Sequence, residues 1–183
     1  GIDWSRPPTL REVERAHDFL WRIHQLVPEA GQVAIFNRSH YEDILVPGVK
    51  GWLDGDALSS RHEHIRNFEA LLVDSGVAIL KFFLHVGKDE QRERLQARLD
   101  DPEKRWKFDP ADLTARAEWD IYSALYERIF KRTSTPEAPW YVIPADRKWF
   151  RNYLVAHVVV DTLERMNLRY PDPPAGLEHH RID

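Results

Sequence analysis

Two short apolar runs with one amphipathic stretch between them constrain this chain more than any other feature. "VAIF" (Val33 to Phe36) and "VAILKFFLH" (Val77 to His85) follow Gly31 and Gly76 and have the length and bulk of buried strands. Between them Ile65, Phe68, Leu71 and Leu72 fall on one side of a helix predicted from Ser59 to Asp74, with Gly76 ending it. A strand, a crossover helix and a second strand form a βαβ unit, whose strands run parallel with a right-handed connection. "WYVIPAD" (Trp140 to Asp146) predicts a third strand. The fold class is therefore α/β, a three-layer sandwich around a mostly parallel sheet, although three strands are few for such a sheet.

The flanking segments read as helices. Leu10, Val13, His17, Leu20, His24 and Val27 recur at helical spacing and predict a first helix from Thr9 to Leu26, stopped by Pro28 and Gly31. The residues ahead of it give little sign of a strand. A highly charged helix is predicted from Asp89 to Leu99, followed by "DDPEKRWKFDPAD", an ordered loop or lid. Asp109 then caps a helix with Pro110 at its first position, running to Lys131. A last helix, Arg147 to Met166, is expected to close the domain with an apolar face including Phe150, Leu154, His157 and Val160 or Asp161. Residues 1–172 make one domain with its lid at about 92–112, and 173–183 form a proline-rich tail with a Leu-Glu-His-His run like that of an affinity tag.

Charge excludes several classes of partner. With 26 basic and 30 acidic residues the net charge is -4, so no global attraction to nucleic acid or an anionic membrane is expected. The absence of cysteine excludes disulfides, thiolate catalysis and Cys-ligated metals, and together with the lack of any roughly 18-residue apolar run suggests a cytoplasmic protein. An anion site must come from local placement.

Open α/β sheets bind ligands beyond the carboxyl ends of their strands. There "VAIF" gives way to Asn37, Arg38, Ser39, His40, Tyr41, Glu42 and Asp43. Asn37 can orient a metal-bound water or a phosphate oxygen, Arg38 offers a planar five-donor fork, and Ser39 adds a hydroxyl. Glu42 or Asp43 can hold Mg²⁺ or can instead fix Arg38; equally, Asn37 and Ser39 can serve as caps. A second cluster, Arg92, Arg94, Arg98, Lys104, Arg105 and Lys107, can clamp several phosphates or pair with the glutamates around it. Lys81, a charge inside an apolar strand, either snorkels from a sheet edge or is held by a phosphate or carboxylate. Trp106 and Phe108 can stack on a base or pin the basic loop to the body. His17 and His24 read as partly buried packing residues. No Gly-x-Ser-x-Gly, His-Glu-x-x-His or Gly-x-Gly-x-x-Gly occurs.

The runs "HDFLWRIH" (His17 to His24), "FNRSHYEDILV" (Phe36 to Val46), "HIRNFEALL" (His64 to Leu72), "ERLQARLDDPEKRWKFDPADL" (Glu93 to Leu113) and "APWYVIPADRKWFRN" (Ala138 to Asn152) make the chain resemble the polyphosphate kinase 2 family, and within it the subgroup accepting both AMP and ADP. The resemblance implies a P-loop-kinase-like fold with a helical basic lid, and Mg²⁺-dependent phosphoryl transfer between inorganic polyphosphate and adenine, or also guanine, nucleotides. It implies Asn37 near the metal shell, with Glu42 as a further candidate ligand, and Arg38 and Lys81 orienting phosphates. Arg94, Arg98, Lys104, Arg105 and Lys107 bind phosphate, and Ser39, His40, Tyr41 and Trp106 contact the nucleotide or pack the loop. A homo-oligomer is compatible with it. The family's Gly-rich P-loop is expected upstream of Asn37, but the thirty-six residues there contain no Gly-x-x-x-x-Gly-Lys run, so the chain is expected to be an N-terminally truncated version. The alternative is a non-catalytic module that binds polyphosphate or nucleotide.

Overall fold

In the computed structural model of the protein, residues 16–170, 172 and 174–176 are described with their side chains, and residues 2–5 by backbone alone. Among the described residues four strands form two parallel pairs. A strand that the sequence did not suggest, β1 (Ile2–Ser5), lies beside β2 (Val33–Phe36), with Ile2 opposite Val33 and Ser5 opposite Phe36. β3 (Lys81–His85) lies beside β4 (Trp140–Pro144), with Lys81 opposite Trp140 and His85 opposite Pro144. β3 is shorter than expected, because Val77 to Leu80 form no ladder among the described residues.

The core lies where three helices meet. α2 (Glu42–Val49), α3 (Gly55–Asp74) and α6 (Trp119–Thr133) contribute Ile44, Ile65 and Ile129, all essentially inaccessible to water, with Leu45, Leu58, Phe68 and Leu125 around them. Gly48 permits the closest approach, since a Cβ there would lie 3.1 Å from a Leu125 methyl. The Phe83 ring of β3 packs at a tilt against Tyr126 and Phe130 of α6, and Phe130 does so against Trp140 of β4, which joins the second strand pair to that core.

α2 was not expected, because it is short and contains Pro47. Proline leaves the carbonyl four residues earlier without its helical donor. That carbonyl, of Asp43, accepts instead from the Arg61 guanidinium of α3 at 2.5 Å, so the proline is tolerated at no cost in unpaired backbone. α3 starts four residues earlier than Ser59, because the Asp54 carboxylate accepts from the Ala57 amide at 2.8 Å and caps it.

Other boundaries also differ. Of the first predicted helix, residues 9–15 lie outside the described set. Residues 16–20 are turns, with the Asp18 carboxylate accepting from the Leu20 amide, and only α1 (Trp21–His24) is helical. Leu20 and Ile23 point inward, while His17 and His24 are exposed, stacked on Trp21 and edge-on to Phe68. After α4 (Lys88–Asp100) and a 3₁₀ turn (Arg105–Lys107), the long helix expected to follow Asp109 divides at Glu118 into α5 (Ala111–Ala117) and α6. Glu118, with ψ of 13°, faces Lys50 at 3.1 Å across the break. In α7 (Lys148–Arg165) the inner face runs through Phe150, Leu154 and Val158, so His157 and Val160 are exposed rather than inward.

His62 of α3 is 1% exposed, with Nδ1 2.6 Å from the Leu58 carbonyl oxygen and no hydrogen-bond partner for Nε2. Burial holds its pKa below the ordinary 6.5; Arg132 and Arg128 act in the same direction and the Leu58 carbonyl against it. As pH falls through 6.5 the unfolded chain gains this proton before the folded chain does, so stability is lost. Urea midpoints should drop between about pH 7.5 and 5.5 and drop less in His62→Leu; parallel curves for the two proteins would remove His62 as the cause.

Candidate functional site

The turn after β2 is polar and carries a strained residue. Arg38 has a φ of 71°, the left-handed region that a branched or long side chain enters at a cost of about 1 kcal/mol or more. Ser39 begins the bend into α2: its hydroxyl accepts from the Tyr41 amide at 3.4 Å and its carbonyl from the Glu42 amide at 3.0 Å. Asn37 and Arg38 are exposed, and among the described residues the guanidinium of Arg38 has neither a hydrogen-bond nor an ion-pair partner. Its charge is felt nearby. Burial raises the pKa of Glu42, Arg38 pulling it down and Asp43 pushing it up, and the half-buried Tyr126 phenol is pushed up to about 12, first by desolvation and then by the Glu42 charge. Asp43 is not the partner of Arg38; it pairs with Arg22 at 2.7 Å.

Beneath this turn is a buried polar network. Glu69 of α3, 3% exposed, accepts from the Tyr41 hydroxyl at 2.8 Å through Oε1, with His40 Nε2 at 3.3 Å from the same oxygen. Through Oε2 it meets Lys81 Nζ at 2.6 Å. The Lys81 ammonium uses its remaining donors on the Thr133 carbonyl at 2.7 Å and the Tyr41 oxygen at 3.2 Å. Burial opposes ionisation of Glu69, but the His40 bond and the Lys81 charge bring its pKa below the ordinary value. Burial also lowers that of Lys81, against the pull of Glu69. With three acceptors around Nζ, the pair is an ammonium and a carboxylate. Tyr41 is held protonated, first by burial and then by Glu69. Lys81 thus opens β3 in the interior, 6% exposed and held by the Glu69 carboxylate, which is one of the alternatives left open by the sequence; it does not snorkel, and its donors are engaged within the protein.

The basic segment divides in two. Arg94 is structural: its guanidinium bonds Glu90 at 2.7 Å and the carbonyls of Ala145 and Asp146 at 2.9 and 2.7 Å, so α4 is tied to the turn after β4. The Asp146 carboxylate accepts in turn from the Gly87 amide at 2.7 Å. Arg98, Lys104, Arg105 and Lys107 lie nearer solvent, facing Asp112 at 3.4 Å, Asp101 at 2.5 Å, the Leu99 carbonyl at 2.7 Å and the Trp106 ring at 5.0 Å. Exposed pairs of this kind are worth about 0–1 kcal/mol and exchange readily. Trp106 is 77% exposed and does not pin the loop. Sequence reasoning passed over Lys88, Arg147 and Lys148, which follow the carboxyl ends of β3 and β4. The strand-end rule, applied to all strands rather than to β2, selects them.

Among the described residues no three His, Asp or Glu side chains gather to hold a metal. Glu42, whose pKa burial raises, and the neutral amide of Asn37 do not build a Mg²⁺ cage by themselves. Among the described residues no helix is long and apolar enough to cross a membrane.

The family model for polyphosphate kinase 2 matches residues 6–171. An AMP/ADP-polyphosphate phosphotransferase of Meiothermus ruber is 55% identical over 167 residues, which is 91% of this chain and 62% of that protein. An ADP-polyphosphate phosphotransferase of Rhodopseudomonas palustris is 42% identical over 171 residues, covering 87% of this chain and 59% of that one. The crystal structure of polyphosphate kinase 2 from Arthrobacter aurescens superposes with a TM-score of 0.95 at 42% identity, over 98% of this chain and 63% of that chain. The chain spans about three fifths of the length of these relatives. Its two parallel strand pairs and flanking helices thus lie within the three-layer α/β architecture expected from the sequence. Matched in sequence over most of its length and in fold over nearly all of it, the chain belongs to the polyphosphate kinase 2 family.

Proposed function

We propose that this chain carries the phosphate-positioning turn and the basic lid of an enzyme that transfers phosphoryl groups between inorganic polyphosphate and AMP or ADP. The observation that carries the reading is Arg38: exposed and unpartnered among the described residues, it sits in a left-handed backbone conformation at the carboxyl end of β2. Strained residues of this kind persist where the surrounding fold requires them, commonly at ligand sites. Arg38 then grips phosphate oxygens with its fork, while Asn37 and Ser39 donate to neighbouring oxygens. Arg98, Lys104, Arg105 and Lys107 exchange their weak surface partners for phosphate, and the exposed Trp106 ring offers a face to the base.

The transfer is a direct displacement: a terminal nucleotide phosphate oxygen forms a bond to the terminal phosphorus of polyphosphate, and that phosphorus loses its bridging oxygen to the shortened chain. No side chain becomes covalently attached. Asn37 and Glu42 would lie beside a Mg²⁺ held mainly by the substrate phosphates, and the ion would supply charge neutralisation there. A second reading is that of a module that binds polyphosphate or nucleotide without transferring a phosphoryl group.

Calorimetric titration with polyphosphate, beside an assay for ADP and ATP formed from AMP and ADP, separates the two. Arg38→Ala should weaken polyphosphate binding about tenfold or more, as expected for loss of a charge-assisted bidentate contact. Lys104→Ala should weaken it about two- to threefold and reduce its salt dependence. Unchanged affinity in Arg38→Ala would remove the turn from the site. Binding without product would favour the second reading.

A further inference from the structure

We propose that Glu69 is a positioning residue: its buried carboxylate holds His40 and Tyr41 and thereby fixes the turn that presents Arg38 and Ser39. The inference rests on the phosphate-site reading above. A buried ion pair by itself adds little stability over well-packed apolar groups of the same size, so the Glu69–Lys81 pair calls for another reason to be there. Its connections supply one. Oε1 of Glu69 takes the Tyr41 hydroxyl and faces His40 Nε2, and both residues lie within three positions of Arg38.

The turn is anchored at two ends. Phe36, one position before Asn37, is held in the β1–β2 ladder opposite Ser5. On the other side the hold on Tyr41 is wholly internal: its ring lies edge-on to Trp140, its hydroxyl ends on Glu69, and the residue is 6% exposed. His40 packs edge-on against Phe68, the residue beside Glu69. Between these anchors Arg38 adopts a φ of 71°. A left-handed arginine persists only when its neighbours over-determine it. Without the acceptor at Glu69, the turn can relax toward ordinary backbone and move the guanidinium. Lys81 supports this from behind, since it neutralises the carboxylate and ties it to the Thr133 carbonyl. Glu69 has no access to a phosphate, and so acts through the turn alone.

Three proteins test this by polyphosphate affinity, each checked for cooperative melting. In Glu69→Gln/Lys81→Met the pair is gone but an oxygen acceptor remains for Tyr41 and His40, so affinity should stay within about threefold of the native chain. In Glu69→Leu/Lys81→Met the acceptor is gone as well, and affinity should fall about tenfold although the interior stays packed. Tyr41→Phe, which leaves the pair in place, should weaken binding about threefold. A purely structural pair would move the first two variants together; that result, or native affinity in a folded Glu69→Leu/Lys81→Met protein, overturns the proposal. If that variant does not fold, Tyr41→Phe decides, and native affinity there overturns it. Arg38→Ala separates the two levels: if it too binds as the native chain does, the site reading has failed, whereas its loss beside full binding in the leucine variant refutes only the role of Glu69.

Discussion

Lys81→Met alone should cost about 3–5 kcal/mol of stability, a large share of the roughly 5–15 kcal/mol that holds a domain folded. The methionine fills much of the same space, so the loss is not mainly one of packing. It comes from Glu69, left 3% exposed with its charge no longer balanced, and from the Thr133 carbonyl and Tyr41 hydroxyl, which lose a donor. Urea unfolding at pH 7 measures it directly; a cost below about 1 kcal/mol would mean that the carboxylate is neutral or reached by water. Acid should then narrow the gap between variant and native chain. The folded pKa of Glu69 is depressed, so the stability it gives the native chain is complete above the ordinary value of 4.5 and is lost as pH falls through the folded value. In the variant the same carboxylate has lost its cation, and protonating it relieves the buried charge.

The same lysine shows where sequence reasoning reaches its limit. A charge within "VAILKFFLH" is visible at once as an anomaly, but its resolution needs Glu69, twelve positions away, and Tyr41, forty positions away. Neither is marked by periodicity, because a glutamate on a helix reads as solvated until the helix is placed. By contrast, the strands β2, β3 and β4 and the helix between the first two were legible, since short apolar runs follow from burial alone, although β2 and β3 lie in separate strand pairs rather than side by side in one βαβ unit. β1 was not, because four residues of mixed polarity acquire strand character only beside β2. α2 was hidden by Pro47, whose cost is removed by Arg61 through a tertiary contact. At the site, the polar run after "VAIF" pointed to Arg38 from the strand-end rule. The separation of Arg94 from the other lid cations could not be read, because a helix sequence does not reveal which arginine faces the carbonyls of Ala145 and Asp146.

Ile44→Ala should produce the other large effect, about 2–5 kcal/mol, as expected for removing a fully buried branched side chain from a packed interior. Ile44 is 0% exposed and lies on the first turn of α2, an eight-residue helix with little stability of its own. Its neighbours limit how the cavity can close: the Asp43 carboxylate is held by Arg22, and the Asp43 carbonyl by Arg61. Because α2 begins four residues after Arg38, loosening it should also loosen the phosphate-positioning turn. Polyphosphate affinity should therefore fall in Ile44→Ala even at temperatures where the protein remains folded. An equally buried position on α6, Ile129, provides the contrast. Ile129→Ala should cost a similar 2–5 kcal/mol but leave affinity nearly unchanged in the folded protein. Equal losses of affinity in the two variants would mean that binding follows general stability; a loss confined to Ile44→Ala would place the coupling in α2 itself.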